Sequence, residues 1–340
     1  MQTKIKIFSS VAVFLILTAT VFCHDIKAGD SWGKERETAK KAVTAEKLER
    51  EISFLTDSIC QGRASGTSGS VEAAMWIRRQ FKEAGLVKMT DSWTQGFSIR
   101  HDIKGRNVIG MLPGAKSIPY DRYIIVGAHY DHLGFLDGKF YPGADSNASG
   151  VVAMTNLAEM FGQMRKMGKI YRCNIIFVAF DAKEYDLSGS QALWDMIEYE
   201  RLSNPLTGET VTKDKVDLMV NIDQIGSSLA PVHKGRQDYV IMLGTSSLPK
   251  AKRNLLESCN SEQAIGLDIS LDYYGSANFT NIFYKLSDQK VFVENRKPAV
   301  LFTSGITMNN NKTWDRTENL NLDVLKKRIW LMFHWLEKMI

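Results

Sequence analysis

A histidine and an aspartate, His129 and Asp131, close an apolar run and precede a second aspartate, Asp145, within the glycine-framed GADSNASG of residues 143–150. A divalent zinc in a hydrolytic site takes imidazole nitrogen and carboxylate oxygen at about 2 Å and keeps one position open for water. His129 offers the nitrogen. Residues two apart in an extended segment share a side, so Asp131 is placed to accept the second imidazole N–H and fix the tautomer. Asp145 then supplies the oxygen. The small residues Gly143, Ala144, Ala148, Ser149 and Gly150 let the backbone turn sharply and start a helix near the ion. Singly, these pieces read as a surface pair and a capped turn; their order, with three later segments, turns them into a site.

The later segments are FVAFDAKEYDLSGS at 177–190, VNIDQIGS at 220–227 and PAVLFTSGITMNNNKTWDRTEN at 298–319. Each starts as an apolar run rich in β-formers and ends in polar residues, as parallel strands do when they deliver side chains to one rim. From about residue 55 to the end, including CQGRASGTSGSVEAAMWIRRQFKEAGL and NVIGMLPG, the chain resembles the zinc exopeptidase family of bacterial leucyl aminopeptidases, glutaminyl cyclases and glutamate carboxypeptidase-type enzymes. The resemblance implies His129 and Asp223 as ligands of one metal, Asp145 as the carboxylate bridging two, and Glu184 as a ligand of the second.

Three departures from the family pattern follow. A glutamate acting as general base precedes the second-metal ligand in the family; here Lys183 precedes Glu184. The family's last ligand is a histidine, and gapless matching of GITMNNNKTWD puts Asn311 there, with Thr307 at a further histidine position. The family's Ser-Asp-His reads Ser287-Asp288-Gln289. An amide is a poor zinc donor beside imidazole. At an effective dielectric of about 20 and a separation of about 6 Å, an ammonium and a divalent ion repel by roughly 5 kcal/mol. One zinc rather than two is therefore expected.

Three outcomes fit. One zinc on His129, Asp145 and Asp223 polarises a carbonyl and activates water, at a cost of about 10²–10⁴ in rate for the missing base. Alternatively, Lys183 stands in for the second cation between Glu184 and Asp145, or serves as the base. Third, a degenerate peptidase binds a peptide or another ligand without cleaving it. The resulting expectation is a secreted, zinc-dependent, aminopeptidase-like exopeptidase acting on a peptide or small amino-acyl substrate through metal-activated water. Glutaminyl cyclase-like acyl transfer is disfavoured, because those enzymes resemble a one-zinc set that includes the terminal histidine.

The elements that must position these residues are legible as periodicity. Helices are expected at 34–57 (Leu48, Ile52 and Leu55 inward), 70–84 (Val71, Ala74, Met75, Arg78 and Phe81), 150–164, 190–200, 249–260 and 320–338. Strands are expected at 106–112, 123–128, 174–180, 216–222, 239–243 and 299–303. Alternation of the two predicts an α/β protein, a three-layer α/β/α sandwich with a mixed, mainly parallel central sheet. The irregular 260–291 stretch carries Tyr273, Tyr274, Phe279, Phe283 and Tyr284, which either wall a substrate pocket or complete the core.

Lys4 and Lys6 before the apolar 7–22 run read as a secretory signal, residues 1–23, followed by one domain over 24–340. The run is too short for a comfortable membrane span, and a lipid anchor at Cys23 is the weaker alternative because Phe22 is bulky. An extracytoplasmic location is expected. Cys60, Cys173 and Cys259 are too few and too scattered for a disulfide framework, and Cys173 reads as a buried hydrophobe. A net charge of +5 without aromatic-laced basic clusters excludes nucleic acid as a partner.

Overall fold

Along Tyr123–His129, Ile124, Val126 and Ala128 enter one apolar cluster while Tyr123 and Ile125 enter another. That alternation is what a strand does when covered on both faces. The structure, a computed structural model, describes residues 31–115 and 122–340; the expected signal segment and Cys23 lie outside the described residues.

The strands are β1 (Val87–Lys88), β2 (Thr94–Ser98), β3 (Lys104–Leu112), β4 (Tyr123–His129), β5 (Gly134–Leu136), β6 (Lys139–Tyr141), β7 (Asn174–Phe180), β8 (Val216–Ile222), β9 (Tyr239–Leu243), β10 (Asp268–Ser270) and β11 (Ala299–Thr303). The large sheet runs β1-β3-β7-β4-β8-β11-β9-β10, with β2 also on β3; β5 and β6 form a separate hairpin. In its centre β7, β4, β8 and β11 are mutually parallel, and antiparallel β3 and β9 flank them. The sheet is mixed, with a parallel heart, as expected.

The helices are α1 (Gly33–Lys41), α2 (Ala45–Thr56), α3 (Ser68–Glu83), α4 (Ser149–Lys166), α5 (Ser188–Glu198), α6 (Leu255–Glu262), α7 (Ala277–Phe283), α8 (Gln289–Glu294) and α9 (Leu322–Met339). Ala39, Ile52, Phe81, Leu157, Leu256 and Phe333 carry α1 to α4, α6 and α9 into the cluster on one face of the sheet. Trp194 and Phe292 carry α5 and α8 into the cluster on the other. This is the three-layer α/β/α arrangement.

Local chemistry adjusts several expected boundaries. The single helix expected over 34–57 is two, because the Thr44 side chain accepts from Lys47 N and starts α2 afresh. In α3 the buried stripe is Ala73, Ala74, Trp76, Ile77 and Phe81, and Met75 is exposed. The helix expected over 249–260 begins only at Leu255, after a single 3₁₀ turn. Cys173 is only partly buried, and the three described cysteines are free thiols. Among the described residues, no helix is long and apolar enough to cross a membrane.

Candidate functional site

Parallel neighbours end on the same side of a sheet, so the loops after β7, β4, β8 and β11 share one rim. His129 is the last residue of β4, Asp223 follows β8 directly, and Lys183 and Glu184 lie just past the end of β7. His129 Nε2 stands 3.3 Å from Asp223 Oδ1. Its Nδ1 lies 3.1 Å from the backbone carbonyl of Asp131 and 3.5 Å from that residue's carboxylate. The carboxylate is engaged more closely by the backbone: it accepts Lys183 N at 3.0 Å and Glu184 N at 3.1 Å, holding the loop after β7 against the end of β4.

The Lys183 ammonium is 3.3 Å from Glu184 Oε1. Burial works against its charge, but Asp223, Glu184 and Asp131 outweigh burial and raise it above its ordinary value. Burial likewise disfavours a charged Asp223, yet Lys183 and His129 hold it well below the usual carboxylate range. For His129, burial is overcome by Asp223 and Asp131, and the imidazole rises to about 10. An ammonium thus stands among the carboxylates that a cation would need.

The expected ligand Asp145 and the doubtful ligand position Asn311 lie in different surroundings. Asp145 Oδ1 accepts Gly226 N at 2.8 Å, Ser227 N at 3.1 Å and the Ser149 hydroxyl at 3.3 Å, while its buried Oδ2 has no hydrogen-bond partner among the described residues. Burial and the neighbouring Asp315 push this carboxyl up to about 7 against those N–H donors. Asn311 is exposed with φ 56°, so the turn points its amide outward, and Asn310 lines the site instead, bonded to Gln224 Nε2.

The site opens into a cavity of about 210 Å³ lined by Lys183, Asp223, Gln224 and Asn310 on its polar side and by Tyr273, Phe283, Leu286, Leu301 and Ile306 on its apolar side. Tyr273 and Phe283 therefore wall the pocket, with ring centroids 4.0 Å apart. Tyr284 instead anchors the core by donating to Ala299 O at 2.5 Å, and Tyr274 and Phe279 are exposed.

Three supporting residues were given no site role in the sequence. Fully buried Arg63 donates to the carbonyls of Leu55 (2.6 Å) and Tyr130, Pro142 and Gly143 (each 2.8 Å), bracketing the loop that follows His129. Asn147 joins three elements: Nδ2 donates to Ile222 O at 2.8 Å and His129 O at 3.3 Å, while Oδ1 accepts Gln224 N at 3.0 Å and Gly150 N at 3.1 Å. Asp315 accepts Asp145 N at 2.8 Å and Ser146 N at 3.0 Å. GADSNASG hinted at a tight turn needing side-chain acceptors, Asp315 closes the GITMNNNKTWD segment matched to the family pattern, and Arg63 lies in the CQGRASG lead-in.

Among the described residues, no three His, Cys, Asp or Glu side chains are grouped so as to hold a metal ion. The charge distribution does not fit one: the Lys183 ammonium already faces Asp223 and Glu184, while Asp145 turns Oδ1 to backbone N–H groups and keeps a buried Oδ2 without a hydrogen-bond partner among the described residues.

The chain matches the profile described as Peptidase family M28 over residues 107–336. It is 21% identical over 314 residues to the uncharacterized protein YfbL of Escherichia coli (strain K12), covering 87% of this chain and 86% of that protein. In fold it is similar to the LapA aminopeptidase of Legionella pneumophila, with TM-score 0.66, 19% identity, and coverage of 90% of this chain and 74% of that one. It is also similar to BSAP, a zinc aminopeptidase from Bacillus subtilis, with TM-score 0.65, 13% identity, and coverage of 87% and 95%.

Proposed function

The chain belongs to peptidase family M28, and from that premise we propose that it recognises peptides or amino-acyl ligands at the family's site with Lys183 as its fixed cation, in place of a bound zinc. One observation carries the reading: the Lys183 ammonium sits 3.3 Å from Glu184 and faces Asp223 where the apolar cavity opens. An apolar side chain fills the Tyr273, Phe283, Leu286 and Ile306 wall, and the ligand's polar end meets a cation and a carboxylate side by side.

The test is calorimetric titration of leucyl dipeptides, in chelator, into the whole protein and Lys183→Ala. Binding without metal is expected, with affinity reduced at least about tenfold in the variant, and a separate chelator-free zinc titration should show new zinc binding once the ammonium's repulsion is gone. Stoichiometric zinc in the wild-type protein, with chelator-sensitive cleavage of aminoacyl-anilides, would overturn it.

The second reading is a one-zinc exopeptidase of reduced rate. Its support is that a nitrogen donor, His129 Nε2, and an oxygen donor, Asp223 Oδ1, already lie 3.3 Å apart. Export belongs to either reading and rests on the charged and apolar pattern of residues 1–23.

A further inference from the structure

At the opposite edge of the sheet, where β4, β8 and β11 begin, lies a second cleft of about 780 Å³. Its floor is apolar, with Ile124, Leu218 and Leu248 each almost fully buried. Its walls carry five cationic side chains, Arg122, Arg172, Lys250, Lys252 and Arg253, against one acidic side chain, Asp217.

That acid is already engaged. Arg122 grips both carboxylate oxygens of Asp217 and donates to Asp214 O at 2.9 Å. Two of the remaining cations are held by neutral acceptors: Lys252 Nζ donates to Met339 O at 2.9 Å, and Arg253 donates to Leu248 O and Ser246 O, each at 3.0 Å. Arg172 and Lys250 have no side-chain hydrogen bond and no ion pair among the described residues, and Lys252 and Arg253 have no carboxylate partner there either. Four like charges are thus gathered with no carboxylate side chain paired to them among the described residues, two of them fixed in place before any ligand arrives. Such a concavity focuses a positive potential and lowers the ordering cost of taking up an anion.

We propose that this cleft binds a small organic phosphate monoester, the phosphate held by Arg172, Lys250, Lys252 and Arg253 and the organic part lying on Ile124, Leu218 and Leu248. A dianion with three equivalent oxygens suits several converging donors, guanidinium forks among them, better than a single carboxylate does. The apolar floor favours an ester over inorganic phosphate. The cleft is remote from His129 and Lys183, so the inference stands or falls independently of the peptide-binding reading.

Calorimetry on the whole protein tests it, with phenyl phosphate, benzoate and inorganic phosphate as probes. Phenyl phosphate should bind more tightly than either of the others, and more weakly as salt is raised. Arg172→Ser with Lys250→Ser should weaken it at least about tenfold, while leucyl-dipeptide binding is unchanged. These two side chains make no hydrogen bond among the described residues, so the variant should keep its melting temperature; the single Lys250→Glu change is a second, exposed probe. Absence of binding, equal affinity in the variants, or no preference for phenyl phosphate over inorganic phosphate would overturn the proposal. So would co-sedimentation with phosphatidylglycerol vesicles without any phenyl phosphate binding, which would mark a membrane-facing patch.

Discussion

Lys183 is held in place by its own backbone as much as by charge: its N–H is bonded to Asp131, so the ammonium starts from a fixed point in the loop. Asn147 is the comparable device on the other side, serving four backbone partners at the ends of β4 and β8 and the start of α4. Asn147→Ala leaves these buried groups unpaired, and a loss of about 2–4 kcal/mol in urea unfolding is expected; a loss under about 1 kcal/mol would show that the loops hold without it. The sequence placed His129, Lys183, Glu184 and Asp223 at a common rim correctly, because a strand end plus a polar residue is readable. The turn residues Asp145 and Asn311 were not legible in the same way. In a tight turn the side a residue faces depends on which N–H groups capture it, here Gly226 and Ser227, and on a left-handed φ such as that of Asn311; neither shows in residue spacing.

Among the elements, those with long apolar patterns were legible: Asn174–Phe180, Val216–Ile222, Tyr239–Leu243 and Ala299–Thr303 lie where the pattern puts them. Short or edge pieces were not, since β1, β5, β6, β10, α7 and α8 offer too few residues for a period and owe their conformation to what they pack on. The α3–α4 junction shows how tight that packing is. A Cβ at Gly162 of α4 would overlap the carbonyl oxygen of Ala84, the residue that ends α3. Gly162→Ala must push the helices apart, and we expect a destabilisation of about 1–3 kcal/mol despite the better helix propensity of alanine. A thermal melt showing equal or higher stability would contradict this packing.

For the molecule as a whole, stability responds to pH through a group that lines neither cleft. His334 of α9 is held at about 4 by burial and by Lys40 and Arg36, against an ordinary 6.5. Protonation therefore favours the unfolded chain. The native state's advantage is complete above about 6.5 and is lost as pH falls toward 4, by at most ~1.4 kcal/mol per unit. Wild-type protein should lose more unfolding free energy between pH 7 and pH 5 than His334→Gln does; parallel losses would clear His334 of the effect. At this scale an α/β sandwich was readable from alternation alone, whereas the cationic cleft was invisible, because Arg122, Arg172 and the 250–253 cluster come together only when β4, β8 and β11 align.

Arg63 sets the boundary of the unit that could be cut out, shuffled or inherited. The matched family region, 107–336, contains every candidate site residue but not this arginine, whose guanidinium binds carbonyls of Leu55, Tyr130, Pro142 and Gly143. A fragment trimmed to that region would carry the complete chemistry on a loop stripped of its inner brace. The lead-in helices are thus part of the portable module, and any engineered exchange of this site must bring them along.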